Sequence, residues 1–146
     1  MRGATTLQQL YKITEADFYH IRELGKFMLP QMDQLVHTWY EWLKTQPEYE
    51  QFFSDEQILH HAQKMQRIYW QQFIEAELDE RYVESRRKIG ETHARIGLSM
   101  TMFFAGMSIF HELFLKSMGQ RDLSLQEQME TIDAVSKLLH LDTGIV

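Results

Sequence analysis

The chain has 146 residues, enough for one domain with a sizeable core, and its 44% hydrophobic and 25% charged residues are typical of a soluble globular protein. The 15 basic and 21 acidic residues argue against a basic nucleic-acid-binding surface, and the lack of cysteine excludes disulfides, thiolate metal sites and thiol catalysis. No signal peptide is visible, and the most apolar stretch, residues 96–110, is shorter than the ~20 residues that span a bilayer. We therefore expect a cytoplasmic protein without membrane insertion, in which that stretch is buried on nearly all sides.

Helical periodicity runs through the whole sequence, and the first elements can be placed from their end signals. A short pre-helix is predicted from about Thr5 to Lys12. Thr14 is the expected N-cap of the next helix, with acidic residues following in its first turn. Pro30 is predicted to open a third helix that ends near Pro47, and residues 48–53 are predicted to be a turn-like link.

The middle of the chain contains two further helices with recognisable starts. Ser54, with Gln57 three residues later, has the form of a capping box for a helix that continues through Phe73. Asp79 is the expected cap of the following helix, which should end around Gly97 because glycine favours helix termini.

Two helices complete the prediction, a nearly all-apolar one over 99–118 and a last one from 124 to about 141, with a polar break between them. The sequence therefore predicts one all-α domain of six or seven helices without internal repeats. An apolar pattern resumes at Ile145 and Val146, so we expect residues 1–146 to be the amino-terminal part of a longer protein.

Among the seven histidines, two occupy a helical face suited to a buried metal ligand. His93 is flanked by Gly90, Gly97 and two isoleucines, so its helix offers no charged partner, and a metal could accept its lone pair. His111 has equally apolar neighbours, and periodicity leaves the choice open. The spacings of zinc-protease, di-iron, hydrolase and phosphate-loop motifs are missing, so one imidazole on the iron of a porphyrin is the simplest metal chemistry.

Two stretches of the sequence carry a more specific pattern. One is Ile89–Leu98, IGETHARIGL, in which a histidine is followed by a small residue, Arg, Ile and Gly. The other is Trp39–Tyr40 and Pro47–Glu48, followed by residues 52–57, FFSDEQ. The first resembles the proximal region of the globin-coupled sensors, and the second resembles their distal helix and the entry to the next helix. The resemblance covers nearly the whole chain and implies a 3-on-3-like globin fold with a short N-terminal pre-helix and no D helix.

The resemblance also implies a cofactor, haem b, and assigns roles around it. His93 matches the proximal residue whose Nε2 binds the iron. Tyr40 matches the distal tyrosine, whose hydroxyl would stabilise O2 by roughly 1–3 kcal/mol and CO by less. Further residues are expected to line the haem pocket: Phe52, Phe53, Ala62, Met65, Gln66 and Tyr69.

The function implied by this resemblance is a sensor of O2, with CO and NO as further ligands, that precedes an output domain such as a diguanylate cyclase. A homodimer through the helices at 99–118 and 124–141 would transmit the ligation state, and the apolarity of the first of these helices supports a buried interface independently. Two other functions stay open. One is a free-standing oxygen-binding or redox globin, and the other is a cofactor-free helical dimerisation module. No catalytic residue is predicted within the 146 residues.

Overall fold

The computed structural model describes residues 2–146, which form eight α-helices and one short 3-10 helix, with no β-strand in that range. The helices are α1 Ala4–Leu10, α2 Glu15–Met28, α3 Met32–Leu43, α4 Glu48–Phe52, α5 Glu56–Glu75, α6 Glu80–Ile96, α7 Met100–Gly119 and α8 Leu125–Ile145, and the 3-10 helix Leu29–Gln31 joins α2 to α3. The all-α class predicted from the sequence is confirmed, although the helices number eight rather than six or seven.

Several helix starts follow from short side chains that accept backbone hydrogen bonds. The Thr14 hydroxyl accepts from the Asp17 backbone N–H at 3.2 Å, and the Asp17 carboxylate accepts from the Thr14 N–H at 2.8 Å. This reciprocal pair is a capping box and confirms Thr14 as the N-cap of α2. Asp79 caps α6 as predicted, accepting from the Tyr82 N–H at 2.9 Å. Pro30 lies in the 3-10 helix, so α3 begins two residues later than the proline suggested.

Two predictions around α4 and α5 are wrong. Residues 48–52 form the short helix α4 rather than a turn-like link, and Pro47 precedes it with a φ of −57° that is already suited to a helix. Asp55 rather than Ser54 caps α5, because its carboxylate accepts from the Gln57 N–H at 2.8 Å.

The last helix is longer than predicted. It continues past Leu141 to Ile145, because Asp142 is fully buried and hydrogen-bonded in the core and so holds the final turn in place. This anchor could not be predicted from the sequence, since an aspartate near a helix end usually faces solvent.

A cluster of aromatic rings fills the core where α5 meets α7. Four rings, those of Trp70, Phe73, Phe110 and Phe114, pack there with centroid separations of 4.1 to 5.4 Å. Around them α2 packs on α8 and α5, α3 packs on α5 and α7, and α6 packs on α8 and α1. The aromatic cluster fixes the second half of α5, whereas the first half of α5 carries no buried residue.

Candidate functional site

His93 lies in the last turn of α6, which Gly97 ends in the left-handed conformation with a φ of 74°. The carbonyl of His93 accepts a hydrogen bond from the Leu98 N–H at 3.0 Å, so the turn that carries the imidazole is closed. The side chain is half-buried, and its ring centroid lies 5.6 Å from that of Phe103 at the start of α7. Burial lowers the pKa of His93, which keeps the imidazole neutral near pH 7.

One nitrogen of His93 has no hydrogen-bond partner. Nδ1 is enclosed, yet no donor or acceptor among residues 2–146 reaches it. A buried polar atom of this kind is unusual, because it has lost its water without gaining a protein partner. The imidazole is therefore not held in place by a structural hydrogen bond.

Large apolar side chains on three helices are left open to solvent. Met65 and Ile68 on α5, Ile96 on α6, and Met100 and Phe104 on α7 are between 40% and 62% exposed. The prediction that residues 96–110 are buried on nearly all sides is therefore wrong for the first part of that stretch. Exposed apolar surface at the end of α6 and the start of α7, the segments that meet at His93 and Phe103, marks a place for an apolar partner.

Tyr40 is buried in the middle of the fold, with 4% of its surface exposed. Its ring lies edge-on to those of Trp39 and Phe53, at centroid distances of 5.0 and 5.9 Å. Within residues 2–146 its hydroxyl makes no hydrogen bond. Burial raises the pKa of Tyr40 well above its ordinary value, so the hydroxyl stays protonated and can donate.

The other predicted pocket residues differ in their surroundings. Phe53 packs between Tyr40 and Tyr49, and its ring centroid lies 5.3 Å from that of Tyr49. Phe52 is half-buried. On α5, Ala62 and Gln66 are half-buried, and the side-chain oxygen of Gln66 is enclosed without a partner in the described chain.

Comparison with known proteins identifies the family. The model of the family described as Protoglobin matches residues 4–146. The chain belongs to the protoglobin family.

Solved structures show the same fold for this protoglobin. The globin domain of the Geobacter sulfurreducens globin-coupled sensor is 21% identical, with a TM-score of 0.91 over 99% of this chain and 95% of that one. The globin domain of E. coli DosC matches in its ferric form with 17% identity and a TM-score of 0.82, over 97% of this chain and 95% of that one. Its ferrous form matches with 18% identity and a TM-score of 0.75, over 97% of both chains. The predicted globin fold is confirmed.

The site of this protoglobin fits a haem, the cofactor that membership of a globin family implies. An imidazole that is neutral and makes no hydrogen bond within residues 2–146 suits a metal ligand, and open apolar side chains on α5, α6 and α7 suit the faces and edges of a porphyrin. None of the helices within residues 2–146 combines the length and apolarity needed to span a bilayer.

The structure places Tyr69 in a polar cluster inside the protoglobin core. Its hydroxyl donates a 2.6 Å hydrogen bond to the Asp142 carboxylate, and its ring lies 3.9 Å from the guanidinium carbon of Arg86. The sequence analysis missed Arg86, Asp142 and the contact of Phe103 with His93. A signal for Arg86 was present, because it lies seven residues before His93 and so occupies the same apolar face of α6.

Proposed function

We propose that this domain is a haem-based sensor of O2, with His93 Nε2 as the proximal iron ligand and Tyr40 as the distal hydrogen-bond donor. The observation that carries the proposal is the half-buried, unpartnered imidazole of His93 at the end of α6. When bound, haem b supplies an iron that takes up O2, CO or NO reversibly. The protein would contribute the iron ligand, the hydrogen-bond donor and the side chains around them.

The position of His93 suits ligation through Nε2. Nδ1 is the nitrogen nearer the backbone and is the enclosed one, which leaves Nε2 to meet the iron. Because burial lowers the pKa of the ring, little free energy is spent on removing a proton before the nitrogen binds. Gly97 ends the helix within one turn of His93, so α6 does not continue beyond the turn that carries the imidazole.

Tyr40 suits the distal role because its side chain is buried and its hydroxyl is protonated and makes no hydrogen bond to any residue within 2–146. Such a donor strengthens the binding of a ligand that carries partial negative charge, as O2 does, by roughly 1–3 kcal/mol. CO carries less charge and gains less. We infer that Tyr40 sets the preference for O2, while Phe53, Ala62, Met65 and Gln66 shape the space around it, with Phe52 and Tyr69 as further candidates.

The first test is an absorption spectrum of the purified protein reconstituted with haemin. We expect a Soret band near ~400–430 nm that H93A abolishes or shifts to that of a weakly held haem. H111A is the matched control, because the Nε2 of that half-buried histidine is also enclosed without a partner in the described residues. A wild-type protein that stays colourless contradicts the assignment and favours the cofactor-free dimerisation module. Loss of the spectrum in H111A but not in H93A contradicts His93 as the iron ligand.

The second test addresses Tyr40. We expect Y40F to release O2 about 5- to 150-fold faster, the range given by roughly 1–3 kcal/mol, and to change CO release less. Y19F is the control, since Tyr19 lies on α2 with 58% of its surface exposed. Equal O2 release rates in Y40F and the wild type would remove Tyr40 from this role.

The proposal extends to a homodimer formed through α7 and α8 that passes the signal to an output domain, with a diguanylate cyclase as the first expectation. Leu125 and Met129 on α8 are 73% and 61% exposed, and Leu115 on α7 is also exposed, as an apolar interface with a second copy requires. We expect M129E to convert a dimer to a monomer in analytical ultracentrifugation, while L10E, on the exposed side of α1, stays dimeric. A monomeric wild type would instead favour a free-standing oxygen-binding globin.

A further inference from the structure

A fully buried ion pair connects α6 to the last turn of α8. The Arg86 Nε lies 3.1 Å from one carboxylate oxygen of Asp142, and neither side chain is exposed to solvent. The Tyr69 hydroxyl donates to the same oxygen at 2.6 Å, and the Tyr82 hydroxyl donates to the other at 2.7 Å. Three donors therefore occupy most of the roughly four lone-pair sites of the carboxylate.

The guanidinium of Arg86 is held as tightly as the carboxylate. Its carbon lies 3.9 Å from the ring centroids of both Tyr69 and Tyr82, so the plane is covered on two sides. Its remaining nitrogens donate to the Gln72 side-chain oxygen at 2.9 Å and to the Tyr69 carbonyl at 3.3 Å. Neither charge can move away from the other without losing several partners at once, because both side chains are fully buried.

The position of this pair in the chain gives it a second property. Arg86 and His93 are seven residues apart on the same face of α6, about two turns and roughly 10 Å along the helix. Gly90 lies between them and meets the end of the chain, because a Cβ on Gly90 would come within 2.7 Å of the Val146 carbonyl oxygen. The last turn of α8 therefore lies along the part of α6 that leads to His93.

We propose that Arg86 and Asp142 couple the position of α6 to that of residues 142–146, so that a displacement of His93 is passed to the end of α8. This inference rests on the proposed role of His93 as the haem ligand. A buried, hydrogen-bonded ion pair suits this coupling because its two side chains cannot separate easily. The close approach of the α6 and α8 backbones at Gly90 also prevents one helix from moving without the other. Arg86 and Asp142 act as positioning residues, since neither contacts the haem-ligand imidazole.

A purely structural role for the pair makes a different prediction. Buried ion pairs are frequently replaced by apolar residues of similar volume without loss of stability. If the pair only held α8 in the fold, the charges of Arg86 and Asp142 would therefore not be needed. The double variant R86M/D142L should then fold, at some cost in stability because the Tyr69 and Tyr82 hydroxyls lose their acceptor, and should retain the response of α8 to ligand. Under the coupling role it folds but the response is lost, because no directional bond joins the two helices.

The experiment is hydrogen–deuterium exchange of the haem-loaded protein, comparing the ferrous form with and without CO in peptides covering residues 139–146. In the wild type we expect CO to change exchange there by about five- to tenfold, as coupling between two sites requires. D142N and R86M/D142L should show less than a twofold change. D133N is the matched control, because Asp133 is an exposed carboxylate on the same helix that contacts only Lys137, at 3.3 Å, and it should behave as the wild type.

The readouts separate folding and haem binding from coupling. The Soret band and urea unfolding report whether each variant is folded and loaded, and the iron–histidine Raman stretch should shift in R86M/D142L if Arg86 positions α6. Y82F removes one hydroxyl from Asp142 and keeps the ring, so it serves if D142N does not fold, and we expect a reduced response.

Two results would overturn the coupling role while leaving the proposed function intact. One is a haem-loaded wild type whose residues 139–146 exchange equally with and without CO. The other is an R86M/D142L protein, or a folded D142N or Y82F protein, that responds as the wild type does. A wild type without a Soret band overturns the proposed function and this inference together, and it is recognised before any exchange is measured.

Discussion

The indole N–H of Trp39 donates a 2.9 Å hydrogen bond to the backbone carbonyl of Gly106, and the bond joins the middle of α3 to the middle of α7. The Trp39 ring also stacks on Phe110, one helical turn further along α7, at a centroid distance of 5.3 Å. Because Trp39 is the residue before Tyr40, these contacts fix the rotation of α3 and therefore the direction in which the Tyr40 hydroxyl points. The glycine is essential to this approach, since a Cβ there would come within 3.0 Å of the Trp39 ring.

We therefore expect G106V to destabilise the domain by about 1–3 kcal/mol, because the added side chain has to displace the indole from a packed position. Urea unfolding followed by circular dichroism measures the change. The matched control is G119A, at the end of the same helix, where a Cβ would meet nothing within 4 Å and stability should be unchanged or slightly higher. A G106V protein as stable as the wild type would show that α3 and α7 can separate without cost.

The buried Asp17 should make the start of α2 sensitive to acid. Burial by itself would raise the pKa of Asp17, but hydrogen bonds from the Thr14 N–H and from Lys137, at 3.0 Å, outweigh it and hold the pKa below the ordinary value of 3.8. The stabilisation is therefore present above pH 3.8 and is lost as the pH falls through the lower folded-state pKa. We expect D17N to cost about 1–2 kcal/mol at pH 7, and the difference from the wild type to vanish in strong acid.

D133N is the control for Asp17, since Asp133 also contacts Lys137 but is mostly exposed, and its loss should cost less than about 0.5 kcal/mol. Chemical unfolding of the three proteins between pH 2 and pH 7 gives the comparison. Equal destabilisation by D17N and D133N would assign the effect to Lys137 rather than to the helix cap.

His93 should also make the stability of the haem-free domain depend on pH, but its pKa is lowered by burial and not, as for Asp17, by hydrogen bonds. Burial lowers its pKa below 6.5, so the unfolded chain binds the proton more readily than the folded one. Its contribution favours folding above pH 6.5 and is lost as the pH falls through the lowered folded-state pKa. We expect the wild type to lose stability relative to H93Q between pH 7 and pH 5. A constant difference across this range would mean that burial does not penalise the charged ring.

Gly97 should be the residue that lets α6 end directly after His93. Its φ of 74° lies in the left-handed region, where an alanine is strained, so we expect G97A to lower the free energy of unfolding by about 1 kcal/mol. G97N should cost less, because asparagine tolerates this conformation better. Thermal unfolding separates the two. Equal destabilisation of G97A and G97N would show that tolerance of the left-handed conformation does not decide the cost, since a Cβ at Gly97 meets nothing within 4 Å.

Much of the local structure follows from neighbouring residues alone. The capping box at Thr14, the cap at Asp79 and the glycine that ends α6 are recognisable because each depends on groups within four residues. The wrong prediction of the α5 cap also concerns residues that are neighbours in the sequence. Ser54 and Asp55 are both good caps, and which of them starts the helix depends on the path by which α4 enters α5.

The choice between His93 and His111 could not be made from helical periodicity. Both have apolar neighbours on their own helices, so periodicity cannot separate them, and only the resemblance to known sensors selected His93. The structure adds the contact with Phe103 and the open apolar side chains at the end of α6 and the start of α7, which depend on how the two helices meet.

The sequence by itself determined that the chain is all-helical, where most helices begin and end, and which histidine and tyrosine match those of a globin sensor. It did so because helix propensity, capping and short motifs act over a few residues. Only the tertiary structure decided that Arg86 pairs with Asp142, 56 residues away, and that α8 runs on to meet Gly90. A buried charge is tolerated only beside its partner, and which partner it finds depends on the crossing of two helices that no local pattern encodes.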